Sequence, residues 1–226
     1  MPGDGGNTPG GGGNTPGDNG SDGNGSSEGN EEGENTDTEE PSSPAITFKD
    51  VAANHWSVKE ISRAVELGIV NGYADGSFRP DGRVTRAEFA VMIGRALGLK
   101  GAEGRLSFAD QERIPAWARS YVANAAEAGI INGYGDGSFR PNQQINRAEI
   151  TAMIVRAIGL QTSKLNAELS FADADEIPAW ARTPIAAAYE AGLIQGRGNH
   201  RFVPLGDASR AEAVVLILAM LDYSQR

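Results

Sequence analysis

The stretch Val84-Thr85-Arg86-Ala87-Glu88 decides the fold, because it recurs as Ile145-Asn146-Arg147-Ala148-Glu149 and Ala208-Ser209-Arg210-Ala211-Glu212. In each copy a small hydrogen-bonding residue precedes Arg-Ala-Glu, and an apolar run follows at once. Thr85, Asn146 and Ser209 are placed to cap the free N–H groups of a helix's first turn. Glu88, Glu149 and Glu212 sit three positions on, where a capping-box carboxylate returns to the cap residue's own N–H. Capping does not require the arginine. A fixed cation in the first turn opposes the helix macrodipole and costs about 0.3 to 1 kcal/mol. Three repetitions of that cost point to three anion sites, with Arg86, Arg147 and Arg210 as candidate ligand-binding residues.

The surrounding sequence repeats with the same step. Phe48-Lys49-Asp50, Phe108-Ala109-Asp110 and Phe171-Ala172-Asp173 open three units; Trp56, Trp117 and Trp180 follow, 61 and then 63 residues apart, as do the arginines. Gly68 to Tyr73 matches Gly129 to Tyr134 and, less well, Gly192 to Arg197. Each unit reads as two helices joined by a glycine-rich connection. The first runs from just after the Trp to Leu67, Ala128 or Ala191, and is closed by Gly68, Gly129 or Gly192 in a left-handed conformation. The second starts at the capping box and ends near Gly98, Gly159 or Asp222. Ser57 to Leu67 is amphipathic, whereas Phe89 to Ile93 and Ala213 to Leu221 are apolar on nearly every face. The expectation is a mainly α protein whose second helices form a central bundle, with pseudo-threefold symmetry and grooves between neighbouring repeats. A single repeat of about 60 residues buries too little to stand alone, so the three share one core.

Composition divides the 226 residues near Pro44. Residues 1–45 lack Lys, Arg, Leu, Ile, Val and every aromatic residue, and hold ten acids. Such a segment cannot offset its ordering entropy and reads as a disordered Gly/Pro/Asn/acidic linker. The predicted division is linker 1–45 and repeats 46–104, 105–166 and 167–226. Of the chain's 30 acids and 20 bases, the repeats keep 20 of each, so the net charge of −10 belongs to the linker. A neutral folded part gives no support to nucleic-acid binding. There is no cysteine, and no stretch approaches a membrane span. A linker beginning at residue 1 suggests the C-terminal part of a larger protein.

With these motifs in order, the chain resembles a triplet of S-layer homology modules, the C-terminal anchoring regions of bacterial surface proteins. The Phe-x-Asp opening, the Trp, the G-[IVL]-[IV]-x-G-Y-x-D-G-S-F-x-P stretch and the T-R-A-E box cover residues 46–226. The resemblance implies non-covalent binding to the secondary cell-wall polysaccharide of Gram-positive-type bacteria. Its usual ligand is similar to a pyruvylated N-acetylmannosamine unit, whose ketal carboxylate would pair with Arg86, Arg147 and Arg210. It further implies groove walls built by Trp56, Trp117, Trp180, Asp50, Asp110, Asp173, Gly72, Gly133 and Gly196. It also implies an extracellular, monomeric protein with pseudo-trimeric repeats.

Each residue also has a plainer reading. The arginines could be surface residues paired to their own glutamates, and the tryptophans could staple the chain to its first helix. The aspartates could accept from sugar hydroxyls or tie down local backbone, the second being preferred. Gly72, Gly133 and Gly196 are expected in a conformation barred to other residues, and they could also let a sugar approach the backbone. The six repeat phenylalanines are read as core. Arg197-Gly198-Asn199-His200-Arg201 replaces the Tyr-x-Asp-Gly-Ser of the other loops, so the third loop is expected to be intact but weak toward ligand. Binding by Arg147 predicts that Arg147→Ala weakens glycan affinity with the melting temperature nearly unchanged. The Asp-Gly loops fail the EF-hand spacing, His55 and His200 lack nucleophile partners, and no catalytic residue, metal or cofactor is expected. The competing class is a protein–protein interaction module for surface-layer assembly.

Overall fold

The computed structural model describes residues 47–99, 105–160 and 169–226. The predicted linker and the repeat boundaries at 104 and 166 lie outside these residues. Six α-helices make up the described part: α1 (Val58–Glu66), α2 (Arg86–Ala96), α3 (Ala116–Glu127), α4 (Arg147–Ala157), α5 (Ala179–Glu190) and α6 (Arg210–Ser224). No strand longer than an isolated bridge occurs among them. All three expected capping boxes form. Thr85, Asn146 and Ser209 side chains accept from the N–H of Glu88, Glu149 and Glu212, whose carboxylates accept in return from the cap N–H. The first helices of repeats two and three begin earlier than expected, so Trp117 and Trp180 stand in their first turns rather than before them. Pro115 and Pro178 fix the preceding backbone there, which repeat one lacks.

The repeats interlock cyclically. The second helix of each repeat packs on the first helix of the next: α2 on α3, α4 on α5, and α6 back on α1, while α6 also touches α2 and α4. The motif backbones close a ring. Val84 N–H donates to Ala208 O at 3.3 Å, Ala208 N–H to Ile145 O at 3.0 Å, and Ile145 N–H to Val84 O at 2.9 Å. Just ahead of that ring Arg83 bonds both Gln144 and Asp207, one residue from each repeat.

The ring changes what the helix starts can do. The first two N–H groups of α2, from Arg86 and Ala87, donate to Gln143 O and Pro141 O of the next repeat. Those of α4 go to Gly206 O and Pro204 O, and those of α6 return to Gly82 O and Pro80 O. With the third N–H taken by the cap, none of these three helix starts offers its first-turn amides to an anion. Whatever anion the arginines meet, they meet with their side chains.

The core gathers the apolar faces of all six helices with Phe78, Phe139 and Phe202, each fully buried. Phe171 is buried as well, and Phe48 and Phe108, half-buried, lie against Phe78 and Phe139.

Candidate functional site

Each box arginine reaches into the loop of the following repeat. Arg86 donates from Nε to Phe139 O at 2.8 Å and from Nη2 to Asn132 O at 3.4 Å; its Nη1 lies 3.3 Å from Glu149 Oε1. Arg147 repeats the pattern with Phe202 O at 2.8 Å, Gln195 O at 3.0 Å and Glu212 at 3.1 Å. The side chains of Arg86 and Arg147 are 3% and 8% exposed, and each lies over a phenylalanine ring. These two ion pairs bind one repeat to the next. Removing Arg147 would uncover a half-buried carboxylate and free two loop carbonyls. Burial and these bonds argue for a lowered melting temperature in Arg147→Ala, where a nearly unchanged one was expected.

Arg210 differs. It reaches the loop of repeat one, donating from Nη2 to Asn71 O at 2.7 Å and lying over Tyr73 and Phe78. Among the described residues it has no carboxylate within ion-pair distance, and its Nε is buried without a partner. Burial draws its guanidinium below the usual arginine value. The altered third loop faces Arg147 rather than the Arg210 of its own repeat, since each arginine reaches the next repeat's loop.

The entry aspartates carry the backbone role. Asp50 accepts from Phe78 N–H and Arg79 N–H, both at 2.7 Å; Asp110 accepts from Phe139 and Arg140, and Asp173 from Phe202 and Val203, at 2.7 and 2.8 Å. The second residue of each pair has positive φ: 61° at Arg79, 58° at Arg140 and 58° at Val203. That conformation is costly for any residue with a Cβ and most of all for a β-branched one, so two charge-assisted bonds hold it in place. Burial works against the charge of Asp50 and Asp173, but the backbone N–H bonds outweigh it and hold both carboxyls below their ordinary value.

Gly72, Gly133 and Gly196 do not have positive φ, contrary to expectation. Space is the reason for glycine. A Cβ at Gly72 would lie 2.2 Å from the Phe48 ring, and one at Gly133 or Gly196 would lie 2.9 Å from the carbonyl of Ser138 or Arg201. The helix-ending glycines Gly68, Gly129 and Gly192 do adopt the left-handed conformation.

Trp56, Trp117 and Trp180 are 60%, 55% and 54% exposed, so they are not core residues. Trp180 lines a cavity of about 320 Å³ with Arg86, Asn132, Gly133, Tyr134, Glu149 and Arg156. Three repeats contribute: the arginine from the first, the loop from the second and the tryptophan from the third. Tyr134 donates its hydroxyl to Glu149, and burial together with that bond pushes the phenol up to about 12. Arg140 stacks on the outer face of Tyr134 and pairs with Asp136 at 2.9 Å. In repeat three Arg197 stands where the tyrosine would be, and its guanidinium bonds Glu212 through Nε and Nη2.

Arg156 was not expected among the site residues. It sits nine positions after Arg147, as Arg95 does after Arg86, while the matching position in repeat three is Ala219. That recurrence was visible in the sequence, but a basic residue in a helix's last turn also has an ordinary explanation in the macrodipole.

Fold and grooves together define a helical module of three mutually completing repeats with polar, aromatic-edged clefts between them. The chain belongs to the S-layer homology domain family, whose model matches residues 47–90, 107–151 and 170–214. It is 36% identical over 181 residues to an amylopullulanase of Thermoanaerobacterium thermosulfurigenes, covering 79% of this chain and 10% of that protein. It is 33% identical over 172 residues to the S-layer protein EA1 of Bacillus anthracis, covering 76% and 20%. With a cellulosome-anchoring protein of Acetivibrio thermocellus the identity is 37% over 148 residues, covering 63% and 32%. The chain thus spans between a tenth and a third of the length of these relatives. The relatives with enzyme names match through this anchoring region alone. The family is one of surface anchoring modules and places the chain at the cell surface, associated with the wall.

Proposed function

We propose that the chain is a non-catalytic, carbohydrate-binding anchor that attaches a surface protein non-covalently to pyruvylated secondary cell-wall polysaccharide. The observation that supports this reading is the cavity at Arg86, Tyr134, Arg156 and Trp180, at the small end of ligand-pocket volumes. It combines a buried cation, Arg86, and a half-buried one, Arg156, with an exposed indole. An acidic sugar needs both: the cations for its ketal carboxylate, the ring for its apolar face. Gly133 lets the loop backbone form part of the wall. By pseudo-threefold correspondence, Trp117 would edge the groove at Arg210 and Gly72, and Trp56 the groove at Arg147 and Gly196. Because the three repeats complete one another's joints within one chain, the module works as a monomer.

Titration calorimetry with purified wall glycan, before and after removal of its pyruvyl groups, tests the reading. Heat with the first and not with the second is expected. Absence of heat with both, accompanied by concentration-dependent self-association, would replace the anchor by a surface-layer assembly module.

A further inference from the structure

The three joints are not closed in the same way. The chain runs directly from repeat one to two and from two to three, whereas non-covalent contacts alone close the joint between repeats three and one. At the first two joints Arg86 reaches Glu149 and Arg147 reaches Glu212, and each arginine's Nε donates to the carbonyl of a loop phenylalanine. At the closing joint both contacts are missing. Arg210 Nε is buried without a partner, and among the described residues no cation lies within ion-pair distance of Glu88. The Glu88 carboxylate accepts from the N–H and hydroxyl of Thr85, inside its own cap. A half-buried cation without the counter-ion of its equivalents weakens the joint it stands in.

The helix contact there is also less filled. Between α2 and α3 the Tyr121 ring packs so close that a Cβ at Gly94 would lie 2.7 Å from it. The counterparts at the closing joint are Glu60 on α1 and Leu218 on α6, and they line a cavity of about 330 Å³ together with Val215 and Ala219. The ion pairs that cross this joint lie at the surface. Arg63 donates to Asp222 through both Nη atoms, with side chains 44% and 46% exposed, and Arg83 pairs with Asp207. Asp222 stands where Gly98 and Gly159 end the other second helices, so neither of the other joints has this pair. Exposed pairs of this kind fasten weakly.

We infer that the joint between repeats three and one is the seam at which the module opens, and that a second copy of this chain closes it by exchanging an end repeat. In the exchanged dimer each module takes two repeats from one chain and one from the other. Every contact of the closed module re-forms between chains, so exchange needs no new interface. The seam parts first, and the joint on the other side of the exchanged repeat follows.

The test uses two full-length chains, Arg63→Asp and Asp222→Arg. Each alone sets like charges across its own seam, and so does a dimer of either with itself. An exchanged dimer of the two regains opposite charges at both seams. The chains are incubated together at high concentration in sub-denaturing urea, returned to buffer and weighed by native mass spectrometry. The mixed dimer should exceed either homodimer at least about tenfold, since two exposed pairs worth up to about fivefold each are restored. The chain carrying both substitutions restores the pair within itself and should stay as monomeric as the parent. In the unaltered chain, hydrogen exchange should release the seam amides of Arg210 and Ala211 before their counterparts at Arg86, Ala87, Arg147 and Ala148. Mixed dimers no more abundant than homodimers, or simultaneous exchange at all three joints, would overturn the inference. Each exchanged module is complete, so the dimer should bind glycan as the monomer does, and its presence or absence leaves the anchor reading untouched.

Discussion

The joint between repeats one and two and the joint between repeats two and three start from the same five-residue motif and end differently. At the first, the Glu149 carboxylate meets one guanidinium, Arg86, and the hydroxyl of Tyr134, and a cavity remains beside them. At the second, Glu212 meets two guanidiniums, Arg147 from repeat two and Arg197 from its own loop. One substitution, tyrosine to arginine, turns a hydroxyl–carboxylate contact into a second ion pair. The motif thus builds the joint, and the loop decides what else its carboxylate meets.

The comparison is most severely tested by deleting the shared arginine at each joint. Arg86→Ala leaves Glu149, 8% exposed, with the Tyr134 hydroxyl and no cation. Breaking a buried pair from one side costs about 3 to 5 kcal/mol. In a domain of this size that lowers the melting temperature by roughly 6 to 20 °C. Arg147→Ala should cost clearly less, because Arg197 still neutralises Glu212. Thermal melts of the two variants side by side decide it; equal losses would mean that the loop arginine does not compensate.

The next effect in size concerns the strained loop residue. Asp173 is 1% exposed and anchors Val203, a β-branched residue at φ 58°. Arg79 and Arg140 occupy the same position in the other loops with side chains less crowded at Cβ. Asp173→Asn removes one of two charge-assisted acceptors and should cost about 1.5 to 3 kcal/mol by chemical denaturation. Val203→Gly in that background should recover part of the loss, and Arg140→Gly in the Asp110→Asn background should recover less. Equal recoveries would show that the side chain at this position does not set the strain.

Acid should act on the second joint more gently. Burial opposes ionisation of Glu212, but the bonds from Arg197 and Ser209 N–H and the charge of Arg147 prevail, so its folded pKa lies below its ordinary value. The unfolded chain therefore binds the proton first. The stabilisation is complete above the ordinary glutamate range, about pH 4.3, and disappears as pH falls through the folded value. Melting temperatures of the parent chain and Glu212→Gln should differ at neutral pH and converge below that range. A constant difference across the range would remove Glu212 from the acid response.

Much of this was legible in the sequence, for definite reasons. Capping boxes, C-terminal glycines and apolar runs are local signals, and three copies at nearly constant spacing fixed the repeat. The cyclic interlock was not legible, because the N–H groups of Arg86, Arg147 and Arg210 bond backbone carbonyls, which carry no residue signature. The arginines did predict anions, but two of those anions are the protein's own: Glu149 and Glu212 act as caps for their own helices and as counter-ions for the preceding repeat. A glutamate already employed as a cap gave no hint of a second partner. Gly72 and its counterparts misled for a related reason, since close approach by Phe48 or a loop carbonyl leaves no mark in the glycine's own neighbours.

The smallest effect isolates the substitution that distinguishes the two joints. Arg197→Tyr gives the third loop the residue of the other two, and leaves Glu212 with Arg147 alone, as Glu149 has Arg86 alone. The Arg197 side chain is 38% exposed, so solvent screens its pair and its loss should cost no more than about 1 kcal/mol. A double-mutant cycle with Glu212→Gln reads the coupling directly, free of whatever the tyrosine adds elsewhere. A coupling near 3 kcal/mol would mean that Arg197 holds the joint as Arg86 does at its own, and the second joint would then be the stronger of the two. A coupling below 1 kcal/mol assigns the structural work to Arg147 and leaves Arg197 as a residue that fills the groove rather than one that fastens it. Those two jobs are separable because only Arg147 also bonds the carbonyls of Phe202 and Gln195.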